Sequence, residues 1–540
     1  MLGLGGAQLI AGAFAAGVTI DEPSNLDWTA AWLEDGSYAP DGLTYVYGPA
    51  YAALAHGANV LVGNERLDEV SHSAAAYDVR HLSVAALALL TVAAVGAGVW
   101  RLSGSRRFAL WAAAGLLAVP AWTGHAFFNA KDIPAACGYT LVTVALILAL
   151  SEGHGRLSTS RSKLVIAAML AAGIFIGVGT RMPLWLPFAA SLATYGALRL
   201  GQKQFGGIAL DARTDLAVTA GVVAGFVAIA VLYPEAASQP FGLITESASD
   251  ASNLGVGGRT LTAGQLLLSD HLPWWYLPVW IGASVPLLLG ALAVLGAVLG
   301  IRSLATGRGS RDNGTIWSRP ELALLLVLQQ AILLSLAAVI TGAKMYDGMR
   351  HHLYVLPAIA ILTGLGAERF WSWARARRPE RRWRALAAGL LGAALLVPMA
   401  EQMLLFPYNY AYVNPVAGIG GVNERWESDY WLASAPEALS RTPRNAPLLC
   451  QFLLPPDGTE LHSCSGDQFE PFLPRRGNAV VEKWRGDTSA VWVVSVARSG
   501  YRPPAYCEEV DNVTRWLRGE RVTMSYVLRC DPVEAQRDAG

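Results

Sequence analysis

Apolar runs recur through residues 1–403, most of them long enough to cross a bilayer. A membrane helix needs about 20 predominantly apolar residues to span a hydrocarbon core of about 30 Å. Eleven runs qualify as candidate spans: 1–20, 83–100, 108–124, 135–151, 164–180, 184–199, 214–232, 276–299, 320–341, 353–367 and 385–403. The shorter ones fit a crossing with little tilt, or one that ends in the headgroup layer. Backbone groups in hydrocarbon must be satisfied within the segment, so runs of this length imply helices. The expected fold class is a polytopic α-helical membrane protein with about 11 transmembrane helices.

Composition agrees. Charged residues make up 15% of the chain and hydrophobic ones 53%, against about 25% charged in a soluble domain. Lys+Arg and Asp+Glu both count 41. These figures exclude a soluble cytosolic enzyme, a disordered chain and a nucleic-acid binder that relies on a basic excess. The first run contains Ala11-Gly12-Ala13 and Ala13-Phe14-Ala15, which fit the A-x-A cleavage pattern of a signal peptide. Both lie inside the apolar run, and no basic segment precedes it, so it reads as a span.

Orientation follows from where the cations sit. One set of loops carries 20 Lys and Arg, among them Arg101, Arg106, Arg107, Arg156, Arg308, Arg311, Arg319 and the seven Arg from Arg369 to Arg384. The opposite set carries seven: Arg66, Arg80, Lys131, Arg181, Arg259, Lys344 and Arg350. The bias places the basic loops in the cytoplasm. Loops 21–82, 125–134, 233–275 and 342–352 then face outward, and so does the region after residue 404. The Ala/Leu/Gly/Arg-heavy, Lys-poor composition suggests a GC-rich bacterial genome and a multi-pass protein of the bacterial plasma membrane. In such a host the Asn512-Val513-Thr514 sequon would be idle.

Four of the five cysteines fall in that last region: Cys450, Cys464, Cys507 and Cys530. An even cluster outside the cytoplasm suggests two disulfides. Cys450–Cys464 and Cys507–Cys530 each close a short loop and are favoured among three possible connectivities. Zinc is the alternative, though no C-x-x-C pair occurs. Cys137 lies in an apolar span and reads as a small core residue. Ala490–Ala497 and Val522–Leu528 read as buried strands, and Glu424–Ser440 and Val513–Gly519 as helices. The expected organisation is a transmembrane unit over 1–424, with long outer loops 21–82 and 233–275, and a small extracytoplasmic α/β domain over 425–540.

Polar residues at membrane level are costly and mark functional sites by default. They gather here at the outer ends of several spans. Asp21-Glu22-Pro23 follows the first span, where a carboxylate can take a proton from an acceptor hydroxyl. Its plainer reading is a helix end with a proline stop. His125-Ala126-Phe127-Phe128-Asn129-Ala130-Lys131-Asp132 packs a polar set into one turn. Lys131 suits a phosphate as a point charge, and Asp132 is a second carboxylate. A Lys–Asp pair capping the next helix is the alternative. Arg181 sits in a short outer turn, where it can also snorkel to headgroups. Lys344 to His352 (KMYDGMRHH) opens the tenth span. Arg350 there can hold a phosphate bidentately. His351 and His352 are adjacent and do not share a helix face, which disfavours metal ligation. Trp274-Trp275 reads as an interface anchor.

Together these segments resemble a family. The chain is similar to GT-C-fold glycosyltransferases of the protein O-mannosyltransferase and lipid A aminoarabinose-transferase type. The resemblance rests on Asp21-Glu22, Tyr47-Gly48-Pro49, His125 to Pro134, and Tyr346 to His351. Tyr408 to Pro415 and Glu427 to Trp431 add to it, so that it covers roughly residues 1–435. It implies an inverting transfer of a sugar from a polyprenyl-phosphate donor to a cell-envelope acceptor (glycan, lipid or protein) on the outer face. Asp21 would be the general base, with Glu22 supporting it and Asp132 as the second acid. Lys131, Arg181 and Arg350 would bind the donor phosphate, and His125, Asn129, Tyr47 and His351 would complete the substrate site. Some members of the family hold a divalent metal on carboxylates. This chain offers no dense acidic cluster, so metal use stays open. It also lacks a recognisable β-trefoil, so a protein acceptor is not implied. The expected partners are membrane lipids and the lipid-linked donor, with no nucleic acid. A transporter or flippase is the main alternative, and would place charges near the bilayer midplane. A non-catalytic envelope scaffold is the other.

Overall fold

The computed structural model describes residues 1–40, 42–151, 159–205, 211–253, 258–306, 320–377, 380–451, 461–462, 471, 479–480, 483–484, 490–498 and 503–530. Arg156, Arg308, Arg311, Arg319 and Cys464 lie outside the described residues, and so does the proposed Cys450–Cys464 pairing.

The helices in chain order are α1 Leu2–Ala15, α2 Glu22–Asp35, α3 Ala50–Val62, α4 Ala74–Ser103, α5 Arg106–Leu117, α6 Pro120–His125, α7 Asp132–Ser151, α8 Ser160–Thr180 and α9 Trp185–Phe205. They continue as α10 Ala212–Leu232, α11 Pro234–Ser238, α12 Pro240–Asn253, α13 Tyr276–Ser284, α14 Leu287–Thr306, α15 Leu324–Thr341, α16 Val355–Arg377, α17 Arg381–Leu405 and α18 Ala435–Ser440. Seven of the described helices are long and apolar enough to cross a membrane: α4, α7, α8, α10, most of α14, α15 with the turn before it, and α17. Each coincides with an expected span. The other four expected spans are helical too. Runs 184–199 and 353–367 are α9 and α16, run 1–20 is the short α1, and run 108–124 divides into α5 and α6.

The division has a local cause. Pro120 has no N–H to continue the helix and instead opens α6 at a position where none is needed. Run 276–299 is likewise broken, between Ser284 and Leu287 around Pro286. The carbonyls freed there are met by Asn414, whose Nδ2 donates to Gly282 O (2.6 Å) and Val285 O (3.2 Å). Non-helical backbone at such a depth is tolerated where the protein supplies these partners.

Helix α7 is the centre of the bundle, buried along nearly its whole length. Helices α10, α14, α15 and α17 instead turn large apolar side chains outward, among them Val231, Val294, Ile340 and Leu396. An apolar surface this extensive needs a non-aqueous cover, and lipid is the cover that length and composition call for.

The C-terminal region is mostly sheet. After the hairpin β1 Arg259–Thr262 and β2 Gln265–Leu268 come β3 Pro447–Gln451, β4 Leu461–His462, β5 Ala479–Val480, β6 Lys483–Trp484, β7 Val491–Val496, β8 Cys507–Leu517 and β9 Glu520–Cys530. Five form one sheet in the order β5-β3-β7-β9-β8. β7 lies within the strand expected over Ala490–Ala497, and β9 contains the one expected over Val522–Leu528. The helix expected over Val513–Gly519 is instead the end of β8 and its turn. Val513 and Leu517 are buried while Trp516 is exposed, and the β-branched and aromatic residues of this stretch suit a half-buried pleat. Arg518 and Gly519 both have positive φ, as a two-residue type I′ hairpin requires. The helix expected over Glu424–Ser440 is confined to α18, because Asp429 accepts from the main-chain N–H groups of Ala433 and Ser434 and holds the preceding chain as a turn. Cys507 and Cys530 are paired across β8 and β9 as a disulfide. Cys137 is free and buried. Leu448, Val494, Val496 and Val527 share one apolar core with the helices, so the sheet is packed onto the bundle.

Candidate functional site

Four segments distant in sequence meet at one end of the bundle. Asp21 precedes α2, Lys131 and Asp132 open α7, Arg181 follows α8, and Arg350 lies in a 3-10 turn ahead of α16. Close backbone packing brings α7 and α8 into line. A Cβ placed on Gly138 would lie 2.5 Å from the Gly177 Cα, a contact open only to the smallest residues. The start of α7 therefore sits beside the end of α8, and Arg181 Nη2 reaches Asp132 Oδ1 at 2.6 Å.

Tyr47 is set by a second close approach. Its segment pairs with Arg181 as a β-bridge, with Met182 N donating to Val46 O and Gly48 N to Thr180 O. A Cβ on Gly48 would lie 2.5 Å from Gly179 O. The Tyr47 ring consequently stands between two cations, with Lys131 Nζ 4.8 Å and Arg181 Cζ 5.5 Å from its centroid.

The charges form a ladder. Asp21 Oδ2 lies 3.6 Å from Lys131 Nζ and 3.2 Å from Arg350 Nη1. Arg350 Nη2 lies 3.5 Å from Asp347 Oδ2, and Arg498 Nη2 lies 2.5 Å from Asp347 Oδ1. Lys131, Arg181, Arg350 and Arg498 thus face Asp21, Asp132 and Asp347, with the buried Glu427 carboxylate also acting on Arg498. Burial pushes the Asp21 carboxyl up, but Lys131 and then Arg350 outweigh it and hold it at about 2. The Nε atoms of Arg181 and Arg350 are buried with no hydrogen-bond partner.

Beside the ladder opens a groove of about 430 Å³. Pro183, Leu184 and Leu186 form one apolar wall, and Leu334, Ala337 and Ala338 of α15 the other. Its polar end is made by Tyr47, Arg181, Tyr346 and His351. Burial and the nearby guanidinium groups of Arg350 and Arg181 hold the His351 imidazole well below its usual range, so it is neutral.

The remaining expected residues stand further back. Glu22 Oε2 accepts from Thr19 N and Oγ1, and Oε1 lies 2.8 Å from His81 Nε2. Glu22 thereby ties α2 to α4, and it borders a small separate cavity with Asn25, Thr29 and His56. His125 packs among Phe128, Tyr410 and Trp431, with Nε2 3.1 Å from Tyr430 Oη. Asn129 bridges it to Asp132, through Nδ2 contacts of 3.1 Å to His125 Nδ1 and 2.9 Å to Asp132 Oδ2. His352 turns to Tyr354 and Ser335, away from the contact His351 makes with Tyr346. The three expected acids do not converge on a metal, since Asp21, Glu22 and Asp132 are each engaged by different partners. Among the described residues no group of three or more His, Cys, Asp or Glu is arranged to hold one.

Several site residues escaped the sequence reading. Asp347 was legible only as part of a motif, though its place three residues before Arg350 was a usable signal. Tyr346 and Trp431 sandwich the Arg350 guanidinium, with Cζ 4.7 and 4.5 Å from their centroids. Arg498 carried no signal, being a single arginine after a strand.

No family model and no curated protein sequence matches the chain. Among solved structures it is similar to ArnT from Cupriavidus metallidurans bound to undecaprenyl phosphate, at 14% identity and a TM-score of 0.46, over 98% of this chain and 96% of that one. The apo state of the same protein gives 14% identity and a TM-score of 0.43, over 97% and 96%. The oligosaccharyltransferase AglB from Archaeoglobus fulgidus, in complex with an inhibitory peptide and a dolichol-phosphate, gives 13% and 0.41, over 89% of this chain and 66% of that one.

Proposed function

We propose that this protein is an integral membrane glycosyltransferase of the GT-C type. It moves a sugar from a polyprenyl-phosphate donor to an acceptor hydroxyl of the cell envelope, on the extracytoplasmic face and with inversion. One observation carries the reading: a carboxylate, Asp21, lies between two cations, Lys131 and Arg350, in a cluster whose Arg181 also lines an apolar groove. The groove suits a lipid chain and the cations suit its phosphate.

In this reading the acceptor oxygen attacks the anomeric carbon while Asp21 takes its proton. The bond from that carbon to the phosphate oxygen breaks, and its electron pair leaves with the polyprenyl phosphate. Lys131, Arg181 and Arg350 stabilise the charge that develops there. Attack opposite the leaving group inverts the centre. The cations that depress the Asp21 pKa are the ones the phosphate recruits, so donor binding draws them off the carboxylate and raises its basicity. Among the described residues the acids do not converge on a shared metal site. Glu22, His125 and Asn129 hold the frame of the site, and Tyr47 and His351 line the donor end.

The test is incubation of the purified protein with a panel of polyprenyl-phosphate sugars and envelope acceptors. Sugar transfer or donor hydrolysis that depends on Asp21 is the expected result. Vesicle uptake of a solute without any glycosylated product would replace this reading with transport.

A further inference from the structure

We propose that Arg498, from the C-terminal sheet, is a positioning residue of the donor-phosphate site, and that it acts by neutralising Asp347 so that Arg350 stays available to the phosphate. The inference rests on the phosphate reading of the site and adds a part to it that lies 148 positions beyond Arg350 in the chain.

Asp347 is 3% exposed and its backbone is left-handed, with φ 56°. It touches two guanidinium groups, Arg498 at 2.5 Å and Arg350 at 3.5 Å. A buried carboxylate deprived of one partner leans on the other. Without Arg498, Asp347 would claim Arg350, and the cluster would lose one positive charge. The main chain beside Arg498 is fixed on two sides. Ala497 N donates to Met524 O at 2.8 Å, and Ala497 O accepts from Ser428 Oγ. The sheet itself is tied down by Arg515 to Glu437 and by Arg518 to Glu401. Arg498 therefore reaches the site as part of a fixed wall.

The experiment measures the affinity of purified full-length protein for sugar-free polyprenyl phosphate. Arg498→Gln should weaken it about tenfold, the loss of one charge-assisted contact. Arg498→Lys should retain most of the affinity. Adding Asp347→Asn to Arg498→Gln should restore binding toward wild type, because the competing carboxylate is gone. A purely structural role would instead make the double variant worse than either single one, and that result overturns the proposal, as does unchanged binding in Arg498→Gln. Should Arg498→Gln not fold, Asp347→Asn alone decides: binding kept or tightened supports the proposal, and binding lost defeats it. Wild-type protein that binds no polyprenyl phosphate would refute the phosphate reading itself. Wild-type binding with an indifferent Arg498 would refute only the inference.

Discussion

The guanidinium of Arg350 lies 3.2 Å from the carboxylate of Asp21, although 329 positions separate them in the chain. In the mechanism proposed above, a base held this way is quiet before the donor binds and becomes stronger when the phosphate competes for its cations. That coupling makes the site's order of events testable.

Asp21→Asn should lower transfer by about 10²–10⁴-fold, the usual worth of a positioned base. Donor binding should hold or improve, because the substitution frees Lys131 and Arg350. Single-turnover transfer and polyprenyl-phosphate affinity, measured on the same preparation, check the split. A parallel loss of both would assign Asp21 to binding instead.

The pH dependence follows from the depressed carboxyl, at about 2 in the free enzyme. A base is needed deprotonated, so activity is lost as pH falls through its pKa. kcat/KM, which reports the free enzyme, should hold down toward that value. kcat, which reports the donor complex, should fall at a higher pH because the phosphate has drawn the cations away. The stability that Asp21 contributes is present above its unfolded value of 3.8 and is lost as pH falls through the folded one. pH profiles of the two constants, with the acidic limbs in the opposite order, would refute the coupling.

Gly48→Val should damage the site at a distance from the chemistry. The added Cβ meets Gly179 O at 2.5 Å, which forces the Tyr47 segment off Arg181. A cost of about 1–3 kcal/mol is expected for overpacking of this kind, seen as a lower Tm together with weaker donor binding. An unchanged Tm would mean that the segment yields freely.

Ala338→Trp should fill the apolar groove between α15 and the start of α9. Displacing about 60 Å² of buried chain at about 25 cal/mol/Å² is worth about 1.5 kcal/mol, or roughly tenfold in affinity. The loss should appear with long polyprenyl phosphates and vanish with a short prenyl phosphate. Equal losses for both would move the chain out of this groove.

The membrane character of the protein was legible because hydropathy is a sum over neighbours in sequence. So was the gathering of Asp21, Lys131, Asp132, Arg181 and Arg350, since each ends or begins a span and all were placed at the same face. The strand at Val513 to Leu517 was missed because a short apolar pattern is shared by helix and strand, and pairing with β9 decided between them. Glu22 was readable as an acid beside Asp21, but not as the partner of His81, because that bond depends on how α4 packs against α2.

Sequence alone thus determined that this chain builds a bundle of apolar helices, and which polar residues stand at their ends. Only the tertiary structure decided which charges neutralise one another. It set Asp21 between Lys131 and Arg350, gave Glu22 to His81, and brought Arg498 from the far sheet to Asp347. The physical reason is range: apolarity acts through composition along a segment, whereas an ion pair exists only where packing brings two side chains within a few ångströms.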